Sequence, residues 1–196
     1  MEKLTYNQIF EKSSVIKNLP IMYEGRQLPK GMSAKVVLVR VQYDKYVESF
    51  EKEMQEVLKG LKKEGFDERM QLFQKMEDID KRKAASETWK EGDTDSEGKV
   101  IEKPAMPSGE ELNEAEKIRK DKAEFDKELS ELNEEYMQAR ISKSSDEVEF
   151  NERKFTVDEL SEIISMLGDE NQMIEINKVE VSKGAFINML GAKFCE

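Results

Sequence analysis

Tyr43, Val47, Phe50, Met54, Val57 and Leu61 follow one another at alternating intervals of four and three residues, with Lys, Glu and Gln filling most of the places between. That spacing is a heptad seam, and a helix carrying it has one narrow stripe to bury. The start of the stretch is ambiguous, because Val37, Val39 and Val41 alternate in a β-branched run that also suits a strand. Helix is preferred: Val36 continues the seam and Arg40 is its one misfit. Beyond Gly65, Asp67 is placed to cap a continuation with Met70, Phe73, Met76 and Ile79 facing inward, fading near Trp89.

A second seam lies downstream. Ser108 and Glu111 form a capping box, followed by Ile118, Lys122, Phe125, Leu129, Leu132, Tyr136 and Ala139 at helical spacing. It predicts one helix of about 35 residues, on the order of 50 Å long at the helical rise. Residues 91–107 between the seams are rich in Gly, Asp, Ser and Pro and read as a polar loop, with room for a short hairpin. Two amphipathic segments joined by a polar loop bury both stripes most simply as an antiparallel helical hairpin, coiled-coil-like in character. Pairing of each stripe with a neighbouring subunit is the alternative.

The flanks differ from this middle. Thr5 and Gln8 form a capping box for a short helix at 5–18, and Ile21–Leu28, turning at Glu24-Gly25, reads as a hook before Ser33 caps the long helix. Near the other end, Val148, Phe150 and Phe155 suggest a strand, and Thr156 with Glu159 opens a helix to Leu167. After a turn at 168–171, Ile174, Ile176, Val179 and Val181 suggest a bent strand or tight hairpin, and Ser182 caps a last helix. Laid over itself at an offset of 26, this region pairs Glu149 with Glu175, Asn151 with Asn177 and Thr156 with Ser182, a repeated strand–cap–helix pattern. The expected fold is mainly α: an N-terminal helix and hook (1–32), a long antiparallel hairpin (33–143) and a small C-terminal α+β module (144–196).

Composition narrows the chemistry. Charged residues make up 38% of the 196 and the apolar set 37%, which suits solvated helices better than a thick enzyme core. Histidine is absent, and with it every imidazole base, His-containing triad and His-ligated metal site. Cys195, the one cysteine, has no partner for a disulfide and no His to activate it, and it reads as a frayed thiol in a reducing compartment. Neither a signal pattern nor an apolar run of membrane-spanning length is present, so a soluble, cytosolic chain is expected. Asp93-Thr94-Asp95-Ser96-Glu97-Gly98 begins like a helix–loop–helix calcium loop, but Pro104 stands where the bidentate carboxylate belongs and Glu102 falls short of it. A polar turn is the simpler reading. No carboxylate pair sits in an apolar setting and no phosphate loop occurs, so no enzyme, metal or cofactor is expected.

The net charge of −11 falls entirely in 108–196, which holds 23 acidic and 12 basic side chains against 20 of each in 1–107. An acidic half repels phosphate backbones, so direct nucleic-acid binding is not expected, while a basic protein surface would attract it. The methionines at helical spacing (Met54, Met70, Met76, Met137) read as adaptable core filler. Trp89, and less distinctively Tyr23 and Arg26, have interface potential. The candidate interaction residues are Tyr43, Val47, Phe50, Met54, Val57, Leu61, Trp89, Phe125, Leu129, Leu132 and Tyr136.

The order of elements is similar to that of small helical proteins encoded among the structural genes of tailed bacteriophages. The likeness rests on Leu28-Pro29 running into "AKVVLVRVQYDKYVESFEKEMQEVLKGL", the loop "DTDSEGK", then "FDKELSELNEEYMQ" and the strand-like "VEFNERKFTVDELSEI". It implies a non-enzymatic virion or assembly role, located in the particle or in the host cytoplasm during assembly. Its partners would be other phage structural proteins or further copies of itself. A scaffolding chaperone absent from mature particles is a variant of that role. An acidic host-directed inhibitor that mimics nucleic acid is the competing class.

Overall fold

A computed structural model describes residues 2–94, 96, 99, 100, 102–176 and 179–195. They form a mainly helical chain, as expected, with short two-stranded pairings and a small C-terminal strand–helix module. In chain order the elements are β1 (Glu2–Thr5), α1 (Tyr6–Lys17), β2 (Met22–Tyr23), β3 (Arg26–Gln27), α2 (Lys30–Leu61) and α3 (Phe66–Thr88). They continue as α4 (Gly109–Arg119), α5 (Lys122–Ser144), β4 (Glu147–Phe150), α6 (Val157–Leu167), β5 (Met173–Ile176), β6 (Val179–Ser182) and α7 (Lys183–Phe194). Packing divides them into two compact units, Met1–Val57 with Gln138–Glu196, and Leu58–Met137. Both α2 and α5 cross that boundary, so the units do not coincide with the divisions at 32 and 143 read from the order of elements.

In the first unit, β1 pairs antiparallel with β4, Leu4 opposite Val148. The C-terminal module thus shares a sheet with the N-terminal segment and does not stand alone. All three sequence-read capping boxes form, at Thr5/Gln8, Ser108/Glu111 and Thr156/Glu159. The hook is the β2–β3 hairpin, its turn made by Glu24 (φ 47°) and Gly25 (φ 78°) in the left-handed pair of conformations that tight hairpins need. Val36–Val41 is helical, within α2. Arg40, the misfit in the seam, reaches across to α1, where Nε donates to the Ile16 carbonyl at 3.1 Å and Nη2 to that of Leu19. It thereby ties α2 to the last turn of α1 at Ile16 and to the Leu19 carbonyl just beyond that helix.

The offset of 26 is reproduced in the elements. Adding 26 to β4 gives β5, the Thr156 cap falls on the Ser182 cap, and α6 falls on α7. The strand partners differ, since β4 pairs with β1 whereas β5 pairs with β6. Asn177 lies outside the described residues.

In the second unit, α3 packs against α4 and α5 around Phe66, Phe73, Met76, Ile79, Ala115, Phe125 and Leu132. Arg82–Glu111, Lys75–Glu114 and Arg69–Glu128 run in opposite sequence directions along the two arms, as an antiparallel hairpin requires. Within the first unit, Arg140–Glu51 and Lys143–Glu53 join α5 to α2 in the same sense.

Several expectations need correction. The second seam is two helices, broken at Lys120-Asp121, whose N–H groups bond to carbonyls three residues back. No Gly or Pro marks that break. Ser33 does not cap α2, which starts at Lys30; its hydroxyl donates to the Leu28 carbonyl at 3.1 Å. Asp67 lies in the first turn of α3, and Gly65 (φ 72°) precedes the helix without a side-chain cap. Cys195 is not frayed: its N–H bonds to the Gly191 carbonyl, and it bridges to Phe155.

Candidate functional site

The seam is filled from within the chain. In the second unit, Phe73 stacks on Phe125 with ring centroids 4.6 Å apart, and the Phe66 ring lies 5.2 Å from that of Phe125. Leu61 and Leu129 pack half-buried against this cluster, and Leu132 is buried in it. In the first unit, Tyr43, Phe50 and Met54 are fully buried. Phe50 meets Tyr6 and Phe10 at 4.9 and 4.8 Å, and Tyr43 meets Phe150 at 4.8 Å. Of the candidate interaction residues, Val57 is exposed, while Val47, Tyr136 and Trp89 are half-buried. Trp89 ends α3 with the Lys103 ammonium 5.9 Å from its ring. The stripe therefore belongs for the most part to the chain's own interior.

Two buried polar groups of the first unit escaped the sequence reading. Glu152 has a side chain 1% exposed and accepts from Lys12 Nζ at 2.6 and 2.8 Å and from the Tyr43 hydroxyl. Burial, then the bond to Glu152, pushes the Tyr43 hydroxyl above its ordinary range. Lys183 is fully buried; Nζ donates to the Leu167 carbonyl at 2.8 Å and Gln172 Oε1 at 2.5 Å, and lies 4.1 Å from the Tyr23 ring centroid. Tyr23 and Arg26 thus hold the hook to the end of α6, Arg26 Nη1 donating to the Ser165 carbonyl at 3.4 Å. Their sequence gave no spacing signal for this, because the partners lie more than a hundred residues away.

Pairing also changes the meaning of the charge. The Leu58–Met137 unit contains 23 acidic and 16 basic side chains, a net −7, which leaves −4 for the other. Lysines and arginines of the neutral first half neutralise carboxylates of the acidic second half: Arg82 with Glu111, Lys75 with Glu114, Lys12 with Glu152, Lys35 with Glu159. The Arg82 bond, with the Ser108 N–H, holds Glu111 down at about 2. Glu51 is lowered by Arg140, and Lys143 is raised by Glu53. Among the described residues, no group of His, Cys, Asp and Glu could hold a metal ion, and no helix is long and apolar enough to cross a membrane. In the calcium-like loop, Asp93 accepts from the Lys90 N–H and Thr94 bridges to Val100; Asp95, Glu97 and Gly98 lie outside the described residues.

What remains available for contact is apolar surface on the outside. Val37, Leu38 and Val41 of α2 are 43%, 49% and 58% exposed, on the side of the helix opposite Val36, Val39 and Tyr43. Met137 and Ile141 of α5 are also exposed. In the second unit a cleft of about 530 Å³ opens beside the α4–α5 break, floored by Phe73, Phe125, Leu72 and Ile118 and rimmed by Arg69, Lys117, Asp121 and Glu124. Comparison with known proteins adds no relative: no family model, curated protein or solved structure matches the chain.

Proposed function

We propose that the chain is a non-enzymatic structural or virion-assembly protein of a tailed bacteriophage, acting through protein–protein contacts. The observation that carries this reading is the outward face of α2. Between residues 36 and 41 the helix is apolar on nearly all sides, and Val37, Leu38 and Val41 are left facing solvent. A helix apolar all round is ordinarily covered, so this face calls for a protein neighbour. The phage setting comes from the likeness of element order and motifs described above. Its partners are other structural proteins or further copies, in the particle or in the host cytoplasm during assembly.

Quantitative mass spectrometry of purified assembly intermediates and mature particles tests this. A virion component is stoichiometric in both, whereas a scaffolding chaperone is present in the intermediates and lost on maturation. Absence from both overturns the reading. The competing one, an acidic inhibitor seated on a basic surface, draws on Glu134 and Glu135, exposed on α5 with no ion pair among the described residues. Its affinity for a basic partner would fall steeply with salt and with charge reversal at Glu128, Glu131, Glu134 and Glu135, whereas apolar docking would hardly respond.

A further inference from the structure

We infer that the outward face of α2 is a self-association surface, which two copies of the chain cover by packing α2 against α2 antiparallel about a two-fold axis near residue 39. This inference rests on the reading of the chain as one that works through protein contacts, and it names the partner.

The outward positions Lys30, Ala34, Val37, Val41, Asp44 and Glu48 form a second heptad series on α2, stepping by four and three on the face away from the buried one. Lys30, Ala34, Val37, Val41 and Glu48 are exposed, as is Leu38 beside them, and Asp44 is held by Lys17 of its own chain at 2.7 Å. The residue types along the series are ordered: a cation at one end, apolar side chains in the middle, anions at the other. Antiparallel superposition about residue 39 sets Val37 against Val41 of the second copy and Lys30 against its Glu48, twice over by symmetry. Parallel superposition instead sets Lys30 against Lys30 and Glu48 against Glu48. Neither Lys30 nor Glu48 has an ion pair within the chain among the described residues, so both are available to one between copies. The series spans about 27 Å of helix. A single helix pair of that length buries less than the roughly 800 Å² per partner of a standard interface, so the dimer forms reversibly and depends on concentration.

The test is sedimentation velocity on the full chain over a concentration series, with circular dichroism on every variant. The wild type should shift from monomer to dimer as concentration rises. Val41→Glu should weaken dimerisation by at least about tenfold, because it places a carboxylate in the apolar centre, with helicity unchanged at a position already in solvent. Lys30→Glu and Glu48→Lys should each weaken it, and the Lys30→Glu/Glu48→Lys double variant should recover it, because the swapped pair forms only between antiparallel copies. A monomer at all concentrations, a dimer indifferent to Val41→Glu, or a double variant no better than the singles overturns the proposal. A monomeric chain that is nonetheless stoichiometric in particles removes the self-association and leaves the proposed function standing. A dimer with this pattern that is absent from particles and intermediates does the reverse.

Discussion

Glu152, Lys12 and Tyr43 show at the scale of single residues how this charged chain builds an interior. A carboxylate taken out of water needs its charge matched and its lone pairs bonded, and here an ammonium and a phenol do both. Removing one member leaves the other charge uncompensated, so Lys12→Ala should cost about 3 kcal/mol in denaturant unfolding, far more than an exposed lysine. In the second unit, Phe125→Ala should cost about 3 kcal/mol, since Phe66 and Phe73 both lose their aromatic neighbour. Acid should act through the paired carboxylates. Glu111 and Glu51 are both held below their ordinary value, so each contributes stability above the unfolded pKa and loses it as pH falls. For Glu111 that window runs from 4.5 down to about 2. The thermal midpoint should therefore drop across it, and Glu111→Gln, which keeps the cap but not the charge, should flatten part of that drop. A midpoint that rises on acidification would contradict the assignment.

Among elements, the local signals and the long-range ones divide cleanly. Thr156 caps α6 through the Glu159 N–H, and Thr156→Ala should lower stability by about 1 kcal/mol, read by thermal melting. Gly168 after that helix has φ 79°, and a Cβ there would meet Arg26 Nη1 at 2.7 Å. Gly168→Ala should therefore add backbone strain at a left-handed φ and push the Arg26 guanidinium off the end of α6, at a cost of about 1–3 kcal/mol. The caps at Thr5, Ser108, Thr156 and Ser182, the heptad steps and the Glu24-Gly25 turn were legible because each depends on residues within one or two turns of the chain, whereas the caps read at Ser33 and Asp67 did not form. Strand β1 was not legible: its pairing of Thr5 with Glu147 and Glu2 with Phe150 spans most of the chain, and Glu2-Lys3-Leu4-Thr5 carries no alternation of its own. The break at Lys120-Asp121 was hidden because the apolar spacing continues through it. Arg40 looked like a flaw in the seam, since the carbonyls it satisfies belong to another helix. The candidate site was legible in part. Spacing located the buried face of α2, but the outward series at Val37 and Val41 was masked by the preference for one stripe per helix.

In the whole molecule the apolar seams close within a single chain, and the self-association proposed above uses a different surface. The acidic second half illustrates the same point, because Glu111, Glu114, Glu152 and Glu159 find their cations in the first half. The most direct measurement is helicity by circular dichroism on dilution, recorded beside sedimentation at the same concentrations. A chain whose seams are filled from within keeps its full helical signal as any dimer dissociates, so ellipticity per residue should stay constant while the sedimentation coefficient falls. Loss of helicity in step with dissociation would contradict closure within one chain and mean that the seams are completed by a second.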